Sequence, residues 1–184
     1  MSLTDLIQQQ LGGSAVNQIA QQLGVSPSMA QSAITAAVPM ILGGMARHAS
    51  APEGASTIQQ AVQAHEGAAE DPTAVLQAGP PADVGAAGGL LGRIFGEQHD
   101  SVREGVQQAS GLDPERAKKL LMMLSPIVLG MLAHRQFGGQ SATQADPGQL
   151  AGTLRQEAHS AQQQAPHVGG LLGKLLGAAE SHGA

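Results

Sequence analysis

The chain lacks cysteine, tryptophan and tyrosine, and it has only two phenylalanines among its 184 residues. The lack of cysteine excludes a disulfide framework and thiol catalysis, and it fits a reducing cytoplasm. Aromatic side chains dominate the energetics of cores and interfaces, so their scarcity indicates a thin core. Leu, Ile, Val and Phe together make up 39 residues, about 21% of the chain, just above the composition of disordered proteins. Domains with so thin a core commonly gain stability from neighbouring copies.

Positive charge is scarce in the first half of the chain. Residues 1–84 hold a single cation, Arg47, against six acidic residues, whereas residues 85–184 hold eight charges of each sign. An acidic surface repels a phosphate backbone, which disfavours nucleic acid as a partner. The segment from Met1 to Asp5 has neither a basic region nor a long apolar run. We therefore expect no signal peptide and a cytoplasmic location.

The sequence repeats itself at a spacing of 87 positions, since Ser14 to His48 returns as Ser101 to Arg135. Residues that decide backbone geometry recur, whereas surface residues do not, which is typical of a duplicated structural unit. We predict two pseudo-repeated helical lobes, with a first repeat at 1–65, a linker at 66–87, a second repeat at 88–136 and C-terminal helices at 137–184. The recurring residues are Gly24 and Gly111, Pro27 and Pro114, Pro39 and Pro126, Leu42 and Leu129, Gly43 and Gly130, and Ala46 and Ala133.

Helix-start signals are frequent and consistent with one another. Five Ser-Pro or Asp-Pro pairs, at 26–27, 71–72, 113–114, 125–126 and 146–147, place an N-cap oxygen before a proline suited to a first helical turn. Because no β-branched alternation occurs, the pattern predicts an all-α, multi-helical fold. The expected helices lie near 2–11, 14–23, 27–37, 39–48, 57–65, 72–78, 89–96, 101–109, 114–124, 126–136, 147–163 and 168–180.

One recurring proline and one recurring glycine fall in the most apolar part of each repeat. Pro39 is expected to kink a helix or to open a new one, and Pro126, preceded by Ser125, favours a new helix. Gly43 and Gly130 predict close helix crossing, because a helical glycine costs about 1 kcal/mol relative to alanine. The apolar run from 120 to 133 is 14 residues long. A bilayer needs roughly 20, so we predict a core segment and no transmembrane helix.

A shorter repeat overlies the first one. The nine residues at 88–96, GGLLGRIFG, reappear at 169–177 as GGLLGKLLG. Each predicts a short amphipathic helix bounded by glycine, and the second copy opens a third unit whose body is missing. Such a helix has no lobe of its own to cover, so a neighbouring copy of the chain is the expected partner. The predicted self-association residues are Leu90, Leu91, Ile94, Phe95, Leu171, Leu172, Leu175 and Leu176.

Residues 19–27, IAQQLGVSP, resemble the first helix and turn of a helix-turn-helix motif. The helix that follows contains one glutamine and no cation over residues 28–35, whereas a recognition helix presents Arg, Lys, Asn or Gln to DNA. The corresponding helix of the second repeat has three cations, Arg116, Lys118 and Lys119. The negative charges of Asp113 and Glu115 offset part of their positive charge. Nucleic-acid binding through these three cations is the alternative function, and a purely structural helical corner is favoured over it.

Signals for catalysis and cofactors are missing. The seven histidines show no metal-ligand spacing, and the glycine-rich stretches match neither a phosphate-binding loop nor a dinucleotide fingerprint. No Gly-x-Ser-x-Gly elbow occurs. The GGLLG helices carry one cation each, Arg93 and Lys174, which favours docking on protein over docking on a membrane surface. We therefore predict no catalytic residues, no metal and no cofactor.

Three segments resemble the bacterial YidB-like family (domain of unknown function 937), namely QLGVSP at 22–27, AVPMILGG at 37–44 and QASGLD at 108–113. The resemblance implies an all-helical bacterial protein and brings no catalytic residues, since the family has no established activity. Related sequences often carry an Asp-x-Asp-Gly stretch similar to a calcium loop. Here the comparable residues, AHEG at 64–67, lack the oxygen ligands of such a site. We expect a non-enzymatic assembly module that binds copies of itself.

Overall fold

The computed structural model describes residues 3–65, 68, 70–78, 89–137, 147–164 and 170. Within these ranges the chain is helical and contains no strand, which confirms the all-α prediction. The helices are α1 (Leu3–Gln10), α2 (Gly13–Leu23), α3 (Pro27–His48), α4 (Pro52–Ala64), α5 (Pro72–Ala78), α6 (Leu90–Phe95), α7 (His99–Ser110), α8 (Pro114–Phe137) and α9 (Pro147–Gln164), with a 3-10 turn at Gly96–Gln98 between α6 and α7.

Local capping explains where several helices begin. Ser26 Oγ accepts a hydrogen bond from Met29 N at 3.3 Å, and Asp71 Oδ1 accepts one from Ala74 N at 2.9 Å. Asp113 Oδ1 accepts one from Arg116 N at 3.0 Å. Each cap precedes a proline at the start of a helix, so three of the predicted starts are confirmed. The predicted cap at Asp146 lies outside the described residues.

The prediction that new helices begin at Pro39 and Pro126 was wrong, while the alternative of a kink at Pro39 stays a prediction. Both prolines lie inside continuous helices, α3 and α8. Val38 and Met40 are buried on either side of Pro39, and Ser125 is buried beside Pro126. A break here would leave several backbone N–H and C=O groups unpaired in an apolar interior, whereas a proline within a helix removes only one donor. The buried environment therefore favours the uninterrupted helix.

The two long helices form the centre of the molecule. By length and hydropathy α3 and α8 could each cross a membrane, but 78% of the apolar window of each is buried within the protein. The sequence argument that the apolar run at 120–133 is too short to cross a bilayer was wrong, because the helix that contains it, α8, is 24 residues long. Burial supports instead the prediction that this segment belongs to the core.

The two halves of the chain share one hydrophobic cluster. α3 packs against α2 from its own half and against α7, α8 and α9 from the other. The buried apolar residues of all these helices form a single connected core. The described residues therefore do not show two separate lobes, although the helix, left-handed glycine and helix of the first repeat recur in the second, at Gly24 (φ 66°) and Gly111 (φ 71°).

Candidate association surface

The internal GGLLG segment forms α6, whose apolar face is covered by the chain itself. Leu91 is 6% exposed, and Ile94 and Phe95 are fully buried. α6 packs against α3, α4, α7 and α8. Three of the predicted self-association residues thus lie in the core of their own chain, so they offer no exposed surface to a second copy. The side chain of Leu90 lies outside the described residues.

A glycine on α3 makes room for α6 and α7. A Cβ added at Gly44 would lie 2.8 Å from Phe95 Cδ1 and 2.5 Å from Val102 Cγ2. On α7 a Cβ added at Gly105 would lie 2.7 Å from Met40 Cε. Real Cβ atoms do not approach other atoms so closely, so Gly44 is required where α3 crosses α7, whereas a side chain at Gly105 would have to displace the flexible end of Met40. Close crossing was predicted from Gly43, one residue away, which is itself buried.

The turn after α6 is built around His48, the last residue of α3. Gly96 has φ 54°, and a Cβ there would lie 2.6 Å from His48 Nδ1. The His48 carbonyl approaches Gly54 of α4 so closely that no Cβ fits there either. Burial lowers the pKa of His48 below its ordinary value of 6.5, because desolvation disfavours the charged imidazole. His48 thus joins the end of α3 to the turn that leads into α7.

The N-terminal helix α1 covers a different part of the core. Ile7 is fully buried and Leu11 is 3% exposed, while Leu6 packs against the core from a partly buried position. α1 contacts α8 and α9. At its start, Gln164 Nε2, at the end of α9, donates to Asp5 Oδ2 at 3.5 Å. The N-terminal helix and the end of α9 are therefore neighbours.

Two of the three cations assigned to nucleic acid are engaged inside the protein. Arg116 Nε donates to Leu23 O at 2.9 Å, and Lys119 Nζ donates to Gln22 O at 2.6 Å. Both carbonyls lie at the C-terminal end of α2, where cations are favoured by the unpaired C=O groups and the helix dipole. Arg116 Nη1 also pairs with Asp113 Oδ2 at 3.0 Å. These contacts join the first turn of α8 to the end of α2.

Lys118, the third cation, is half-buried on α8. Hydrogen bonding by the backbone N–H of Arg116 and the Arg116 charge both lower the pKa of Asp113, which is fully exposed.

The helix-turn-helix geometry predicted for 19–27 is present in that α2 ends at the left-handed Gly24 and α3 begins after the Ser26 cap. Its second helix exposes Ser28, Met29 and Gln31, which are uncharged. The second helix of this corner therefore offers no cation of its own over these exposed positions.

An ion pair that sequence reasoning missed links the last turn of α8 to the middle of α9. Glu157 is 3% exposed, and its Oε1 lies 2.9 Å from Arg135 Nη1. A buried charge without a partner is expensive, so Glu157 needs the charge of Arg135, which reaches it from an exposed position. The available sequence signal was weak, because a glutamate within α9 resembles a solvated surface residue. Among the described residues no group of three His, Cys, Asp or Glu side chains could hold a metal ion.

The leucines of the second GGLLG copy, Leu171, Leu172, Leu175 and Leu176, lie outside the described residues. Gly170, just before them, is helical and exposed. A Cβ added at Gly170 would meet nothing within 4 Å. The structure therefore shows where the first copy docks and leaves the contacts of the second copy to experiment.

A family model described as "Bacterial protein of unknown function (DUF937)" matches residues 5–135. The chain belongs to the DUF937 family. The resemblance to this family, inferred from the segments around Gly24, Pro39 and Gly111, is thereby confirmed. The matched part of this DUF937 protein runs from α1 into the last turn of α8, so it includes both repeats, whereas α9 and the second GGLLG copy lie beyond it. No curated protein and no solved structure matches the chain.

Proposed function

We propose that this DUF937 protein is a non-enzymatic self-association module in the cytoplasm, which binds copies of itself through residues 169–177. The observation that carries the proposal is the burial of α6. Where the GGLLG pattern is described, it forms a helix that buries Leu91, Ile94 and Phe95 against the core. The second copy repeats six of the nine residues and keeps an apolar residue at each of these three positions. It should therefore need a comparable apolar surface.

The described surface supports a role for the C-terminal copy over other parts of the chain. Among the described side chains Met29 stands out as a large exposed hydrophobic residue, at 43% exposure. A single exposed apolar side chain is ordinary for a surface and does not mark an interface. The second GGLLG copy contributes four leucines within six residues. Apolar area of this kind is the main driving force for association between proteins.

The test compares the parent chain with a variant in which Leu172→Asp and Leu176→Asp are combined. We expect the parent to form a defined oligomer or a filament in light scattering of size-separated protein across a concentration series. The variant should remain a monomer, because charged side chains cannot be buried without a partner. Lys174→Asp introduces the same residue into the same segment at a polar position, so it should leave association intact. A parent that is monomeric at high concentration would contradict the proposal.

Among the described residues, no contact supports the nucleic-acid alternative in the way that the burial of α6 supports self-association. Arg116 and Lys119 already donate to carbonyls of α2, and a phosphate contact would have to compete with these bonds. The alternative predicts that the parent is retained on DNA at low salt and released steeply as salt rises. It also predicts that replacing Arg116, Lys118 and Lys119 abolishes that retention.

A further inference from the structure

Two short helices occupy corresponding sites on the two long helices. α6 packs most extensively against α3 and α4 and also contacts α7 and α8, whereas α1 packs most extensively against α8 and also contacts α3 and α9. Ile94 of α6 and Ile7 of α1 are separated by the 87-residue spacing of the repeat, and both are fully buried. The site on α8 that α1 covers is therefore the counterpart of the site on α3 that α6 covers.

The order of the helices along the chain gives the α8 site a second candidate occupant. α6 follows α5 and turns back onto α3, the long helix of the repeat that precedes it. Residues 169–177 follow α9 in the same way, and the long helix that precedes them is α8. The corresponding site for this second GGLLG copy is thus the one that α1 covers.

The end of α9 brings this segment close to the α8 site. Gln164 Nε2 lies 3.5 Å from Asp5 Oδ2 of α1. The five residue steps from Gln164 to Gly169 extend over at most about 18 Å. The second GGLLG copy therefore begins within reach of α1 in the same chain, without help from another molecule.

The second copy has apolar residues to match those with which α1 and the residue after it cover the site. Among the described side chains there, Ile7 and Leu11 are buried and Leu6 is partly buried. α6 buries three side chains, and the second copy has leucine at all three corresponding positions, Leu172, Leu175 and Leu176. Because the hydrophobic driving force grows with the apolar area removed from water, the second copy is a credible competitor for the site.

We propose that residues 169–177 compete with α1 for the site on α8 within one chain. Three short apolar helices then share two docking sites, and either α1 or the C-terminal helix is left free. The exchange goes beyond the proposed self-association because it requires no second copy. It determines which apolar helix a chain exposes.

A double-mutant cycle in the full-length protein tests this exchange. Ile7→Ala is introduced into the parent and into a background carrying Leu172→Asp and Leu175→Asp, and unfolding in urea is followed at a dilution where scattering shows monomers. If the C-terminal helix can replace α1, Ile7→Ala raises the unfolding constant less in the parent than in the Asp background. We expect the two effects to differ at least about two-fold, the lower end of measured couplings between interacting groups.

Ile94→Ala is the matched control, because Ile94 is the counterpart of Ile7 on α6 and should have the same effect in both backgrounds. Equal effects of Ile7→Ala in the two backgrounds would overturn the proposal. Ile7→Val replaces Ile7→Ala if the latter does not fold in the Asp background. The proposal would also be overturned by a coupling that is seen only at concentrations where copies associate, since a second copy would then supply the helix. Failure of self-association alone leaves the cycle unaffected, so the two proposals fail separately.

Discussion

At the scale of single residues, the missing side chain of Gly44 decides how closely three helices meet. Its Cα faces Phe95 of α6 and Val102 of α7, which are both fully buried. A methyl group at this position has no space, because protein interiors are packed as densely as organic crystals. Glycine is thus required here by packing, and its backbone conformation is that of an ordinary helix.

We predict that Gly44→Ala lowers the free energy of unfolding by about 1–3 kcal/mol, the usual cost of overpacking a core. Gly152→Ala in α9 is the matched control, since a Cβ there would meet nothing within 4 Å. That variant should gain up to about 1 kcal/mol from better helix propensity. Urea denaturation of both variants checks the pair, and a neutral Gly44→Ala would show that the crossing is looser than described.

His48 is the residue through which pH should act on stability. Burial lowers the pKa of His48 in the folded protein, whereas the unfolded chain takes up a proton near the ordinary value of 6.5. Below that pH the unfolded state therefore binds more protons than the folded state. The contribution of His48 is present above pH 6.5 and is lost as the pH falls towards the lowered pKa.

We predict that the melting temperature of the parent falls between pH 7 and pH 5, and that His48→Gln makes this fall shallower. Glutamine is uncharged over the whole range, so it removes the proton uptake that favours the unfolded state. His134→Gln, at an exposed position near the end of α8, is the control and should leave the slope of the parent unchanged. Parallel pH profiles for the parent and His48→Gln would refute this assignment.

At the scale of helices, α2 and α7 end with the same backbone conformation, although Gly24 N donates to Gln21 O and Gly111 N donates to Gln107 O. Each stops at a glycine in the left-handed conformation, Gly24 or Gly111, and neither Cβ position has a neighbour within 4 Å. Steric space is therefore no obstacle to a side chain. The obstacle is the backbone, because an L-residue with positive φ brings its Cβ too close to the following carbonyl oxygen.

We predict that Gly24→Ala and Gly111→Ala each lower the free energy of unfolding by about 1–2 kcal/mol, the cost of placing a residue with a Cβ in the left-handed region. Gly24→Asn and Gly111→Asn should cost less, because asparagine tolerates this region better. Chemical denaturation of the four variants measures the differences. Two alanine variants with clearly unequal costs would indicate that the corners are not equivalent.

At the scale of the whole molecule, the packing of α3 ties the two repeats together. It contacts α2 from the first repeat and α7 and α8 from the second, and the apolar residues form one cluster. The bonds from Arg116 and Lys119 to the end of α2 also join the two repeats. Neither repeat has a separate core to retain once the other unfolds.

We predict that the protein unfolds in one cooperative transition, because a single shared core supports all-or-none behaviour. Heating followed by far-ultraviolet circular dichroism and by calorimetry should give coincident midpoints. Leu42→Ala in the first repeat and Leu129→Ala in the second, which are both fully buried, should lower the same transition. Two resolved transitions, each sensitive to one variant, would support independent lobes.

The sequence alone determined the features that depend on near neighbours in the chain. The Ser-Pro and Asp-Pro starts at 26, 71 and 113 were predictable because an N-cap bonds to the backbone three residues later. The helix ends at Gly24 and Gly111, the all-α class and the family also followed from local pattern. These features need no knowledge of what lies across the molecule.

Only the tertiary structure decided how those helices are used. It carries α3 and α8 through Pro39 and Pro126, because an interruption inside the core would expose unpaired backbone groups. It buries Ile94 and Phe95 within their own chain, and it turns Arg116 and Lys119 towards the carbonyls of α2. Apolar pattern and charge are local properties, whereas the partner of Lys119, Gln22, lies 97 residues away along the chain, a separation that local pattern does not encode.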